Sequence, residues 1–168
     1  MAEIGFESYL SLMKAKLFFS LLLVTFLAAS LSQKAMAHCQ VPCGIFADQL
    51  RFEAMLEDQT TIAKANVQMA ELLKESTPLA TNQATRWILT KEDHCSKIME
   101  TVAEYFMAQR IKPDAENYEK TLVAAHHVMR AAMKAKQDPS AEVAEALKTS
   151  ILELYEAYEG KAYEPHTH

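Results

Sequence analysis

Glycine, proline and tryptophan are scarce in this chain, which holds 3 Gly, 5 Pro and 1 Trp in 168 residues. With so few glycines there is no Gly-rich phosphate loop and no nucleophile elbow, so the enzyme classes built on those motifs are excluded. The chain also lacks a basic cluster and has a net charge of −5, which disfavours nucleic acid as a partner. Internal repeats, low-complexity segments and signs of a second domain are likewise missing.

One long apolar run is present, at residues 17–31, and its surroundings are informative. Lys14 and Lys16 precede it, and a small-x-small motif follows at residues 35–37. This order is typical of a secretory signal peptide. The run is shorter than the roughly 20 residues that span a bilayer comfortably. We therefore predict that residues 1–37 are a signal peptide.

Cleavage between Ala37 and His38 by signal peptidase would export the protein to the periplasm or the medium and make His38 the first mature residue. The alternative is an uncleaved leader that anchors the chain in the membrane.

The remaining chain is rich in Ala, Met, Leu, Glu and Lys, which favours helix. Apolar periodicity and turn residues predict four helices, at about Asp48–Lys74, Pro78 or Asn82 to Gln109, Asp114–Lys136, and from Pro139 onward with Asp138 as its cap. Short connections and one apolar stripe per helix predict an all-α fold, an antiparallel four-helix bundle over residues 48–160. Residues 161–168 are expected to form a flexible tail.

The four stripes give the expected core. They are Phe52, Met55, Ile62, Met69 and Leu73; Trp87, Lys91, Cys95, Ile98, Val102 and Phe106, with Ile88 and Tyr105 beside them; Tyr118, Leu122, Ala125, Met129 and Ala132; and Val143, Leu147, Ile151, Leu154 and Tyr158.

Residues 38–47, called the hook, precede the first predicted helix and hold two of the three cysteines. Pro42 and Gly44 favour an irregular backbone there. A free His38 would offer an amine and an imidazole next to the thiolates of Cys39 and Cys43. Square-planar nitrogen and sulfur donors suit Ni(II) or Cu(II), and the backbone nitrogen of Cys39 could join them.

A disulfide between Cys39 and Cys43 is the default alternative in an exported protein, and on spacing alone both interpretations stay open. If a metal binds, anionic thiolate and amidate donors stabilise a higher oxidation state, so a nickel ion could cycle between Ni(II) and Ni(III).

The hook resembles the nickel hook of the nickel superoxide dismutases, because His38, Cys39, Pro42, Cys43 and Gly44 all fall in register with it. Weaker similarity continues along the chain, at residues 51–54, 85–86, 91–92 and 104–106. The resemblance implies a four-helix-bundle subunit, a homohexamer, and dismutation of superoxide into dioxygen and hydrogen peroxide through an alternating Ni(III)/Ni(II) cycle.

The same resemblance implies the site residues. His38 would supply its amine and an axial imidazole, Cys39 its thiolate and backbone nitrogen, and Cys43 its thiolate. Glu53 matches a glutamate that orients the axial imidazole, a role expected beside a ligand histidine.

Three residues depart from the family pattern. Phe46 stands where a tyrosine is usual, His94 where an arginine completes the hydrogen bonding of the imidazole, and Gln40 where the residue is usually acidic. We expect these changes to tune the rate and the pH response. Protons would then come from backbone amides, Tyr105 or bound water.

The competing function is a non-enzymatic extracytoplasmic helical bundle that binds nickel or copper. The remaining candidate ligands have simpler interpretations. Cys95 is expected to be a buried small apolar residue. His126 and His127 are expected to be solvated or at an interface, because neighbours on a helix point in different directions. His166 and His168 are expected to lie in the disordered tail.

Overall fold

The computed structural model describes residues 10–11, 13–14, 16–18, 20 and 48–165. The described residues before position 48 are helical and belong to a unit spanning Met1–His38, while everything from Cys39 onward belongs to a second unit. Within these ranges, no helix is long and apolar enough to cross a membrane. The cleavage site and the whole hook lie outside the described residues, so the leader, its cleavage and export stay predictions.

Four helices make up residues 48–165, the described part of the second unit. Their bounds are α1 Gln49–Leu72, α2 Pro78–Glu100, which continues as a π-helix over Thr101–Arg110, α3 Tyr118–Gln137 and α4 Ala141–Glu159. Helix α1 packs on α2 and α4, and α3 packs on the same two helices, so the four close a ring. Phe52 contacts Phe106 and Lys64 contacts Trp87, which shows that α1 and α2 run in opposite directions. The predicted all-α bundle is confirmed.

The ends of α2 and α4 follow from local sequence. The Thr77 side chain accepts a hydrogen bond from the backbone N–H of Ala80 at 3.0 Å, and Pro78 takes the first helical position. At the end of α4, Gly160 adopts a φ of +72°, a left-handed conformation that glycine reaches without strain.

Helices α3 and α4 begin later than the sequence predicts. The prediction that α3 starts at Asp114 is wrong, because turns occupy the chain up to Asn117, whose amide donates to the carbonyl of Ala157 at 2.9 Å. The prediction that Pro139 opens α4 is also wrong. The Asp138 carboxylate accepts the backbone N–H of Ser140 at 2.9 Å and so closes a turn before the helix.

The core is aromatic at its centre. Phe52 is fully buried, with ring centroids 4.7 Å from Phe106, 5.0 Å from Tyr155 and 6.0 Å from Tyr158. Such tilted and edge-on pairs stabilise a core beyond the area they bury. This cluster joins α1, the π-helix and α4 at one end of the bundle.

The predicted stripes largely match the core, but Trp87 and Tyr158 are only partly buried, and three further differences have a local cause. Leu73 is 67% exposed because α1 ends at Leu72, and Ile88 is 42% exposed because it lies off the buried line of α2. On α3 the buried face is shifted from the predicted stripe and consists mainly of small residues, namely Thr121, Ala124, Ala125, Val128, Ala132 and Ala135. Small side chains let helices approach closely, so the larger residues Tyr118, Leu122 and Met129 are only partly buried.

Two buried polar side chains tie helices together through backbone carbonyls. The Lys91 ammonium donates to the carbonyl of Lys136 at 2.8 Å, where a cation also complements the negative end of the α3 dipole. The Gln59 amide donates to the carbonyl of Ala144 at 2.8 Å. Lys91 therefore belongs to the buried face of α2, as its spacing predicts.

Part of the predicted tail contacts the bundle. The Tyr163 ring packs edge-on against Tyr155 at 5.1 Å, and the Gln49 amide donates to the carbonyl of Glu164 at 3.2 Å. His166 and His168 lie outside the described residues. The flexibility of residues 161–168 stays a prediction.

Replacing Phe52 by alanine should reduce the free energy of unfolding by about 3–5 kcal/mol, because the change removes a fully buried ring and leaves a cavity between three aromatic neighbours. Urea unfolding followed by circular dichroism measures this loss. Val67→Ala, on the same helix but 60% exposed, is the matched control and should change stability by less than about 0.5 kcal/mol. Equal effects of the two substitutions would contradict the assignment of Phe52 to the centre of the core.

Candidate metal centre

The described chain resumes close to the predicted metal ligands. His38, Cys39, Cys43, Phe46 and Gln40 all lie outside the described residues. Asp48 immediately precedes α1 and follows Cys43 by five positions. A chain of that length spans at most about 18 Å. The chain itself therefore links the predicted ligand Cys43 to the start of α1 by a short connection.

The Asp48 carboxylate is bound by three side chains from other elements, and these four residues are called the Asp48 cluster. Tyr105 donates its hydroxyl to Oδ1 of Asp48. The Tyr158 hydroxyl donates to Oδ2 at 2.6 Å, and the Arg110 guanidinium donates to the same oxygen at 2.6 Å through Nη2 and 3.2 Å through Nε. The Asp48 side chain is only 12% exposed. The cluster thus joins the start of α1 to the π-helix and to α4.

The π-helix explains how Tyr105 and Arg110 reach one carboxylate. In this segment a backbone N–H bonds to the carbonyl five positions earlier in the chain. The N–H of Ile111, for example, donates to the carbonyl of Phe106 at 2.8 Å. Residues five apart, such as Tyr105 and Arg110, then lie on one side of the helix. In an ordinary α-helix they would be separated by well over a quarter turn. The sequence predicted a regular helix here and missed this feature.

The cluster changes the acidity of its members. Burial alone would raise the pKa of Asp48, but the hydrogen bonds from Arg110, Tyr105 and Tyr158 together hold it below its ordinary value of 3.8. Burial and the bond to Asp48 raise the pKa of Tyr105 to about 12, and the pKa of Tyr158 is raised by the same causes. Asp48 is thus ionised at neutral pH, while both phenols keep their protons.

This geometry bears on proton supply. The Tyr105 hydroxyl donates a hydrogen bond to Asp48. A phenol with a pKa of about 12 is a weak acid at neutral pH and therefore keeps its proton. The structure therefore gives Tyr105 the role of a hydrogen-bond donor to Asp48. The Arg51 guanidinium lies over the Tyr105 ring, 5.7 Å from its centroid, and adds a cation–π contact at the same place.

Glu53 lies on α1 just beyond the cluster. It is five residues after Asp48, a rise of about 7.5 Å along the helix. Its carboxylate accepts the side-chain amide of Gln49 at 3.2 Å, and its side chain is half-buried. Glu53 is therefore on the helix that begins directly after the hook, and its contact with the His38 imidazole stays a prediction.

His94 has a partner that the sequence did not indicate. Its Nδ1 lies 2.5 Å from Oδ1 of Asp58 on α1, and the two side chains are 22% and 17% exposed. Asp58 is five residues beyond Glu53, so His94 lies further from the start of α1 than Glu53 does. A bond from His94 to the imidazole of His38 stays a prediction.

Cys95, His126 and His127 lie where the sequence predicts. Cys95 is fully buried, and burial raises the pKa of its thiol to about 11, so it stays protonated and inert. His126 and His127 are exposed on α3. Among residues 48–165, no group of three or more His, Cys, Asp or Glu side chains is arranged to hold a metal ion.

Sequence reasoning missed three members of the Asp48 cluster. The sequence predicts that Asp48 starts a helix and that Tyr158 lies in an apolar stripe, and it does not single out Arg110, which follows the predicted end of the second helix at Gln109. No sequence signal marked Asp48, because an aspartate immediately before a helix usually caps its own N–H groups. Asp48 makes no such side-chain bond and accepts from distant residues instead.

The Asp48→Asn variant tests the charge in this cluster. Because the pKa of Asp48 is below 3.8 in the folded chain, its ionisation stabilises the fold above pH 3.8. That contribution disappears as the pH falls through the lower folded-state pKa. The wild-type chain should therefore be more stable than the variant at neutral pH, and the difference should shrink on acidification in urea titrations. A difference that does not change with pH would contradict the account.

One of three comparisons with known proteins identifies a family. The profile of the family described as nickel-containing superoxide dismutase matches residues 33–161. Searches of curated proteins and of solved structures found no match. The matched range includes the hook and all four helices. The chain therefore belongs to the nickel-containing superoxide dismutase family, oxidoreductases that use nickel and act on superoxide.

Proposed function

We propose that the nickel of this superoxide dismutase is held at the processed N-terminus. His38 would supply its amine and its imidazole, Cys39 its thiolate and backbone nitrogen, and Cys43 its thiolate. The observation that carries the proposal is the family match, which runs through these positions. Family membership also favours the enzyme over a nickel or copper storage protein.

The donor set fits nickel. Two thiolates with amine and amide nitrogens form the soft, strongly donating environment that suits square-planar nickel. The third cysteine, Cys95, does not compete, because its thiol is fully buried and protonated. When bound, the nickel supplies one-electron chemistry, alternating between Ni(III) and Ni(II) so that two superoxide ions and two protons give dioxygen and hydrogen peroxide.

The chain's own residues position this chemistry. Glu53, on the first turns of α1, orients the imidazole of His38 through a hydrogen bond. Phe46 contributes no hydroxyl, and the Tyr105 proton is engaged by Asp48. Both protons of the reaction therefore come from solvent or are passed on by backbone amides. His94, whose Nδ1 lies 2.5 Å from Oδ1 of Asp58, tunes the rate of the reaction.

Maturation and assembly complete the proposal. The leader of residues 1–37 directs export, and signal peptidase cuts between Ala37 and His38, which creates the amine ligand. Metal binding is then coupled to translocation. The mature chains assemble into a homohexamer.

Adding one alanine before His38 should abolish dismutase activity. The α-nitrogen of His38 becomes a peptide nitrogen, and the new terminal amine belongs to the alanine, one residue further from Cys39. Helical content by circular dichroism should not change. Mass spectrometry of the unmodified exported protein should give a chain that begins at His38. Full activity of the extended chain would show that the amine is not a ligand.

Cys43→Ala should remove nickel from the mature protein, because a thiolate donor is lost. The matched control is Cys95→Ala, which should retain nickel since that thiol is buried and protonated. Nickel per chain is measured by inductively coupled plasma mass spectrometry. Nickel loss in the Cys95 variant with retention in the Cys43 variant would reverse the assignment.

A further inference from the structure

We propose that Asp48 is a positioning residue for the nickel site: held by Tyr105, Arg110 and Tyr158, it fixes the end of the hook on the bundle before nickel binds. This inference rests on the proposed N-terminal site. It assigns a role to four residues, three of which the resemblance does not identify.

The hydrogen bonds of the Asp48 carboxylate point away from its own helix. An aspartate at the start of a helix ordinarily bonds to the first N–H groups of its own helix. The Asp48 carboxylate makes no such bond, and its three donors belong to the π-helix and α4. Its bonds therefore fix the position of the chain entering α1 relative to two other elements.

Asp48 also lies close in sequence to a proposed nickel ligand. Only residues 44–47 separate Cys43 from Asp48. This short connection limits the distance between the α-carbons of Cys43 and Asp48 to about 18 Å, so holding Asp48 in place restricts the region that Cys43 can reach. The same rigid point begins α1, which carries Glu53. Asp48 therefore restricts the position of the proposed thiolate ligand and that of the residue proposed to orient the imidazole.

The hydrogen bonds that hold Asp48 are strong. The Arg110 guanidinium bonds Asp48 through two nitrogens, and charge-assisted bonds of this kind are about twice as strong as neutral ones. Three donors on one carboxylate that is 12% exposed leave little freedom for Asp48. The π-helix, a rare conformation, is what brings Tyr105 and Arg110 to the same carboxylate.

The expected consequence is an effect on nickel affinity. Ordering a residue costs roughly 1–2 kcal/mol of conformational entropy, and an anchored chain has already met part of that cost before the metal arrives. If only a fraction of chains is anchored, the apparent dissociation constant rises in inverse proportion to that fraction. General destabilisation does not have this effect while the chain remains folded.

The test compares variants of the metal-free, reduced mature chain, titrated with nickel(II) and followed by thiolate-to-metal absorption. Asp48→Asn should bind nickel roughly tenfold more weakly or worse, and Tyr158→Phe and Arg110→Gln several-fold more weakly. The Tyr158 variant keeps its ring, which packs on Phe106 at 5.5 Å, so the fold should be preserved.

Two matched controls separate positioning from stability. Tyr155→Phe removes a phenol hydroxyl from the same helix without touching Asp48, and Arg130→Gln removes an exposed guanidinium from α3. Both should bind nickel within about twofold of wild type. Urea unfolding and helical content, measured on every variant, confirm that each chain is folded during the titration.

The outcomes distinguish the two proposals. If the folded Asp48, Tyr158 and Arg110 variants bind nickel as tightly as wild type, the cluster only stabilises the bundle and the positioning role is wrong. If the chain with an added alanine before His38 binds nickel as tightly as wild type, the N-terminal site itself is wrong, and the anchor role fails with it.

Discussion

The carboxylate of Asp48 is the contact on which the geometry of this molecule depends. It lies where the predicted metal-binding segment meets the bundle and is held by donors from the π-helix and α4. The four-helix ring supplies those donors in fixed positions, since Phe52 packs on Phe106 and Tyr158 directly beneath them. The bundle thereby becomes a rigid support for the segment that is proposed to hold the nickel.

The same cluster explains a division of labour among tyrosines. A free phenol near a redox centre could donate protons, but the Tyr105 hydroxyl is bound to Asp48, and its pKa of about 12 keeps the proton in place. The Tyr158 hydroxyl is bound to the same carboxylate, so both phenols of the cluster hold the start of α1 in position.

Much of the fold could be predicted from the sequence, and parts of the site could not. The apolar periods of α1, α2 and α4 and the Thr77-Pro78 start are local signals, and they were sufficient. The π-helix at residues 101–110 was missed because it is stabilised by tertiary contacts, here the bonds of Tyr105 and Arg110 to Asp48. The Asp58 partner of His94 was missed for the same reason, since the pairing joins residues 36 positions apart.

The hook motif could be recognised from the sequence because its predicted ligands all lie within residues 38–43, whereas the side chains that hold Asp48 come from the π-helix and α4. The central claim is that nickel binds at the N-terminal cysteines. X-ray absorption at the nickel edge of the mature protein tests it most directly. The account predicts a first shell of two sulfur atoms with nitrogen donors, and a shell of nitrogen and oxygen atoms without sulfur would contradict it.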